Sequence, residues 1–142
     1  MHPVMPIFGL RSPADKVGDL VYFGRMVDKI RLHAAGKLPA EYIANLGDGF
    51  DKWCSGLFGI PYEVIAQRVI DGGTDEELLA WCFENGRKLT EQDRMIWSEY
   101  LRKRGWNDAG SQRLSERKAE SGFSKRDDIQ TFFQYIDADE GR

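Results

Sequence analysis

The chain has 142 residues, of which 42% are hydrophobic and 12% aromatic, enough apolar material for one hydrophobic core and too much for a disordered segment. A net charge of −3 and a pI near 5.4 exclude a binder drawn to nucleic acid by overall charge, and no apolar run approaches the ~18 residues that a bilayer span requires. The charge is nevertheless uneven: four cations meet eleven anions over residues 41–93, whereas nine cations meet four anions over 94–126, so faces of opposite sign are expected.

Residues 1–18 read as an extended segment, because Pro3, Pro6 and Pro13 cannot donate to a strand ladder. The stretch Met1–Leu10 is too short and proline-broken for a signal peptide, which predicts a cytosolic protein. A first helix is predicted from Asp19, as N-cap, to Ala35, with Gly36 and Pro39 as its stop. After a looser segment over residues 40–49, Phe50, Trp53, Cys54, Leu57 and Phe58 recur at helical spacing. Pro61 opens a further helix, and Thr74 with Glu77 forms a capping box for the next. Thr90 with Asp93 starts a helix whose apolar stripe is Ile96, Trp97, Tyr100 and Leu101. Residues 108–122 are polar and helical, an exposed arm. Ser124 to Asp127 is read as the cap of a final helix carrying Ile129, Phe132, Phe133 and Ile136. The expected fold is all-α, an irregular single-domain array of six to seven short helices behind an extended proline-containing N-terminal segment.

The first helix holds the most informative polar groups. Leu20, Phe23, Met26, Val27, Ile30 and Ala34 share one face, yet Val21 and Leu32 lie among the charges opposite. Apolar residues on both sides predict a second cover, which would partly bury Arg25, Asp28, Lys29 and Arg31 and oblige them to find partners. One reading is an internal network, with Asp28 one turn from both Arg25 and Arg31. The other is a cationic pocket for a carboxylate or phosphate. His33 lies at the edge of the apolar face, where a core role is the commoner one. Asp48 and Asp51, in the glycine-rich turn Gly47-Asp48-Gly49-Phe50-Asp51, oppose phosphate, provide too few oxygens for calcium, and suit a helix N-cap.

Cys54 and Cys82 lack C-x-x-C spacing and read as buried free thiols, and no zinc set is present in the pattern. Arg102-Lys103-Arg104-Gly105-Trp106, with Arg113, Arg117 and Lys118, mixes cations with an aromatic as single-strand binders do, against the acidic pI and intervening carboxylates. Asp137, Asp139 and Glu140 read as an acidic tail.

The run Gly24-Arg25-Met26-Val27-Asp28-Lys29-Ile30-Arg31-Leu32-His33-Ala34-Ala35-Gly36-Lys37-Leu38-Pro39 resembles a bacterial family known as domain of unknown function 5069. Leu46–Asp51, Gly73–Glu77, Arg104–Asp108 and Tyr135–Arg142 extend the resemblance over nearly all of the chain from Arg11. It implies no activity, cofactor or functional residues.

No reaction is specified by any spacing, and no cofactor is indicated. The reading adopted is a non-catalytic cytosolic helical module that meets another protein, without membrane and with nucleic acid unfavoured. The alternative is a carboxylate- or phosphate-binding protein or enzyme, with a site formed by Arg25, Asp28, Lys29, Arg31, His33, Asp48 and Asp51.

Overall fold

A computed structural model describes residue 7 and residues 9–142; the expectations for Pro3 and Pro6 lie outside the described residues. The order is β1 (Lys16–Val17), β2 (Leu20–Val21), α1 (Phe23–Ala34), α2 (Ala40–Ile43), α3 (Phe50–Phe58), α4 (Tyr62–Ile70), α5 (Asp75–Asn85), α6 (Glu91–Lys103), α7 (Ser111–Glu120) and α8 (Phe132–Asp139). The protein is mostly helical, as the patterning predicts. Eight helices rather than six or seven occur among the described residues, because the loose segment after Pro39 closes one helical turn as α2.

Three local expectations are corrected. Asp19 does not cap a helix. Gly18 and Asp19 form the two-residue turn of an antiparallel hairpin, with Val17 opposite Leu20. Gly18 has φ +60°, which a II′ turn requires at its first central position. The apolar residues Leu20 and Val21, counted as helical, are therefore strand residues. α6 holds them: Trp97 Nε1 donates to the Val21 carbonyl at 3.2 Å, and Ser98 Oγ donates to the Asp19 carbonyl at 2.8 Å. The second correction is the last helix, which starts at Phe132 and not near Ser124. Thr131 accepts the Gln134 N–H and caps it. Ile129 matched the helical period because it reaches the same cluster from the preceding loop. The third is α3, whose N-cap is Gly49 with no side-chain cap, so neither Asp48 nor Asp51 serves. The predicted capping box is present at Thr74/Glu77, and Thr90 with Asp93, read as a helix start, closes a second one.

α1 is the centre of the main core. Phe23, Met26, Val27 and Ile30 pack with Phe58, Ile65, Leu78, Leu101 and Phe133 from five other helices, each contributing roughly 1.5–3 kcal/mol by burial. A smaller cluster of Leu114, Phe123, Ile129 and Tyr135 joins α7 to α8. Tyr22, between β2 and α1, has φ +71°, a conformation that costs a bulky residue on the order of 1–3 kcal/mol. Its N–H donates to the Pro13 carbonyl at 2.9 Å, its ring stacks on Phe133, and its hydroxyl is fixed by α3.

Candidate functional site

The eight residues from Phe23 to Ile30 are all buried, charged ones included. Their partners come from distant parts of the chain, not from the same helix. Arg25, 4% exposed, grips both oxygens of Glu140 through its two terminal nitrogens, at 3.0 and 2.5 Å, and donates to the Arg11 carbonyl at 3.0 Å. Glu140 also accepts from the Tyr42 hydroxyl at 2.8 Å and from Arg142 at 2.6 Å. Burial pushes the Glu140 carboxyl up, but the hydrogen bonds and charge of Arg25, aided by Tyr42 and Arg142, hold it below its usual range. What read as an acidic tail residue is thus a pin, 2% exposed, that ties α8 to α1 and α2.

A second set alternates in sign. Arg11 donates to both oxygens of Asp28, at 2.9 and 3.0 Å, and to Asp75 at 2.8 Å. Arg31 takes the other oxygen of Asp75 at 2.9 Å and the Gly73 carbonyl at 3.0 Å. Gly24 allows this arrangement: a Cβ there would lie 2.8 Å from Arg11 Cζ. Burial raises the Asp75 carboxyl, and Arg11 and then Arg31 outweigh it, so the net direction is down.

The third set is fully internal. Lys29 Nζ lies 3.0 and 3.1 Å from the oxygens of Asp51, which is 0% exposed. Asp51 accepts as well from the Tyr22 hydroxyl at 2.6 Å and from the Gly47 N–H at 3.0 Å. Burial, followed by the charge of Asp51, pushes the Tyr22 phenol well up and keeps it neutral. Every polar atom of the Asp51 carboxylate is in use, which is how a buried charge is made tolerable.

The seven residues singled out from the sequence therefore do not converge on one opening. Arg25, Asp28, Lys29 and Asp51 are buried and paired, and Arg31 is half-buried on Asp75. His33 is exposed on the last turn of α1 and not part of the core. Asp48 is exposed at the mouth of a separate cleft.

That cleft, about 430 Å³, lies where α3, α6, α7 and α8 meet. Its floor is apolar, made of Phe50, Trp53, Phe132 and Ile136. Arg104, Arg113 and Arg117 line its walls against the single carboxylate of Asp48. Arg104 lies over the Trp53 ring at 5.3 Å and the Tyr100 ring at 6.0 Å, positions that hold a guanidinium by cation–π attraction. Its ion pair with Asp108 is long, 3.4 Å, since Asp108 is engaged by the Gly105 and Gly110 N–H groups at 2.9 and 2.8 Å. Arg113 makes exposed pairs with Glu116 and Glu120. The guanidinium of Arg117 has no ion-pair partner among the described residues.

Two further open cavities adjoin Trp106, and none of the three is lined by Arg25, Asp28, Lys29, Arg31, His33 or Asp51. Among the described residues, no group of three or more His, Cys, Asp or Glu side chains is placed to hold a metal ion. Cys54 and Cys82 are buried free thiols; burial pushes Cys82 up to about 12.

A family model described as a domain of unknown function matches residues 8–142, nearly the whole length. The chain belongs to the DUF5069 family. No curated protein matches it. The assignment agrees with the resemblance carried by Gly24–Pro39, and in this DUF5069 chain the first part of that run is the buried ionic stretch of α1.

Sequence reasoning missed Arg11 and Glu140, because pairs separated by 17 and 115 residues leave no spacing signal. It also counted Ile96 and Tyr100 with the apolar stripe of α6. Trp97 and Leu101 are buried, but Ile96 and Tyr100 are exposed. The signal for the cleft was the mixed cationic and aromatic stretch from Arg102 to Arg117. Arg104, Arg113 and Arg117 enter the cleft, whereas Arg102 and Lys103 pair with Glu99 on the surface.

Proposed function

We propose that this DUF5069 protein is a non-catalytic cytoplasmic module that docks another protein through the outer face of α6 and the adjoining cleft. The observation that carries the reading is a group of exposed apolar side chains on and beside α6. Ile96 and Tyr100, one turn apart on α6, are 55% and 49% exposed, and Tyr100 stacks at 6.0 Å on Trp53, 39% exposed, which lines the cleft. An exposed apolar patch bordered by charges is a usual mark of a protein-binding surface. The saturated pairs of α1 support the non-catalytic part, since their ionisable groups are consumed by one another. The two buried free thiols support the cytoplasmic placement.

Affinity isolation followed by cross-linking tests the proposal. Cross-links to a partner are expected at Lys103 and Lys52, which flank this group and are exposed. They should vanish in the Ile96→Glu/Tyr100→Glu protein while its melting temperature holds. Recovery of the bare chain at low and physiological salt would sink the reading.

A further inference from the structure

Resting on that docking reading, we propose that the cleft takes an extended acidic segment of the partner, with carboxylates alternating with apolar side chains. The chain as a whole is acidic, with a net charge of −3, yet the cleft walls bring three arginines against one carboxylate. This local excess is the reverse of the α1 arginine Arg25, which has a dedicated buried carboxylate. Among the described residues Arg117 has no ion-pair partner, Arg104 has a long one, and Arg113 has only exposed ones. Exposed pairs of the last kind are worth about 0–1 kcal/mol and are readily exchanged for an incoming carboxylate. Guanidinium groups suit carboxylates because their donors can engage both oxygens.

Geometry narrows the occupant. Arg113 and Arg117 are four residues apart on α7, a rise of roughly 6 Å. Alternate residues of an extended chain are about 6.6–6.8 Å apart and point to the same side. A segment running along the cleft would therefore place every second side chain against the α7 arginines. The intervening side chains would face the floor formed by Phe50, Phe132 and Ile136. An extended occupant also accounts for the exposed side chains beyond the cleft, because a small free anion would leave Tyr100 and Ile96 uncovered.

The probe is a hexapeptide of alternating glutamate and phenylalanine, titrated into the intact chain and followed by NMR at the Trp53 indole and the Arg117 Nε. The expected result is saturable shifts at both, weakening as salt is added. A hexapeptide of alternating glutamine and phenylalanine should bind at least about tenfold more weakly, and Arg117→Gln should lose about tenfold with an unchanged melting temperature. Equal binding of the glutamine peptide would overturn the proposal in favour of apolar docking alone. Equal binding of a glutamate-only hexapeptide would overturn it in favour of charge alone. A concentration-dependent dimer abolished by Arg117→Gln would make the occupant a second copy and likewise overturn it. The two readings fail separately. Cross-links at α6 without peptide shifts leave the docking module and remove the acidic segment. Peptide shifts in a chain always recovered alone keep the cleft chemistry and remove the module.

Discussion

Two groups of arginines in this protein are in opposite states. Arg25, on α1, is 4% exposed and spends its donors on Glu140 and a backbone carbonyl. Arg117, on α7, is exposed beside an aromatic floor and has no ion-pair partner among the described residues. The difference separates structural charge from available charge. A buried cation must be neutralised locally, since removal from water costs several kcal/mol per ion, so the fold supplies its partner. An exposed cation is already hydrated and can be left for another molecule. Perturbed or buried charge on its own therefore points inward, to the fold, at least as often as to a ligand.

The buried pairs carry the largest expected effects. Glu140→Gln leaves Arg25 buried without its counter-charge, and Lys29→Met leaves Asp51, 0% exposed, without its cation. Each is expected to lose about 3–5 kcal/mol in denaturant unfolding at neutral pH. A loss below about 1 kcal/mol would mean that the pair in question is not a strut of the fold.

A gentler version uses acid. The folded Glu140 carboxyl is held below its ordinary value, burial being outweighed by Arg25, Tyr42 and Arg142. Its contribution is present above the unfolded glutamate value of about 4.3 and is lost as pH falls through the lower folded value. The stability gap between the natural protein and Glu140→Gln should accordingly be widest near neutrality and close below about pH 4. A gap that stays constant down to pH 2 would show that the charge of Glu140 is not what the fold uses.

The smallest effects belong to the exposed side. Arg31→Ala removes a half-exposed pair with Asp75, which keeps Arg11, and is expected to cost no more than about 1 kcal/mol. Arg117→Gln should change stability by less than about 0.5 kcal/mol. Thermal unfolding of both, beside the two buried-pair variants, orders the four. An Arg117→Gln protein as unstable as Glu140→Gln would erase the distinction between the two groups of arginines.

The ionic helix was legible up to a point. Leu32 and Val21 flanking the charges announced a second cover, and Arg25, Asp28 and Lys29 are buried accordingly. The pairing was not legible. Arg25 to Asp28 is a favourable helical spacing, yet Asp28 is taken by Arg11, whose arrival depends on the hairpin and on Gly24 leaving room. Val21 itself misled, since it faces the core from a strand and not from a helix. The cleft left a compositional trace in Arg104, Arg113 and Arg117 but no periodicity, because its floor comes from α3 and α8.

What the sequence determined by itself is what depends on neighbours within a few residues. The mostly helical class, the helix starts at Thr74 and Thr90 and the glycine stop at Gly36 after α1 follow from backbone hydrogen bonds closed over three or four positions. Which charges became internal and which stayed free was settled by packing between distant segments. Glu140 reached Arg25, and Asp51 reached Lys29 and Tyr22, only when the packing of α1 against α2, α3 and α8 brought distant carboxylates into a space closed to water. Coulomb attraction at that range is set by distance and burial, which packing creates and which no sequence spacing encodes.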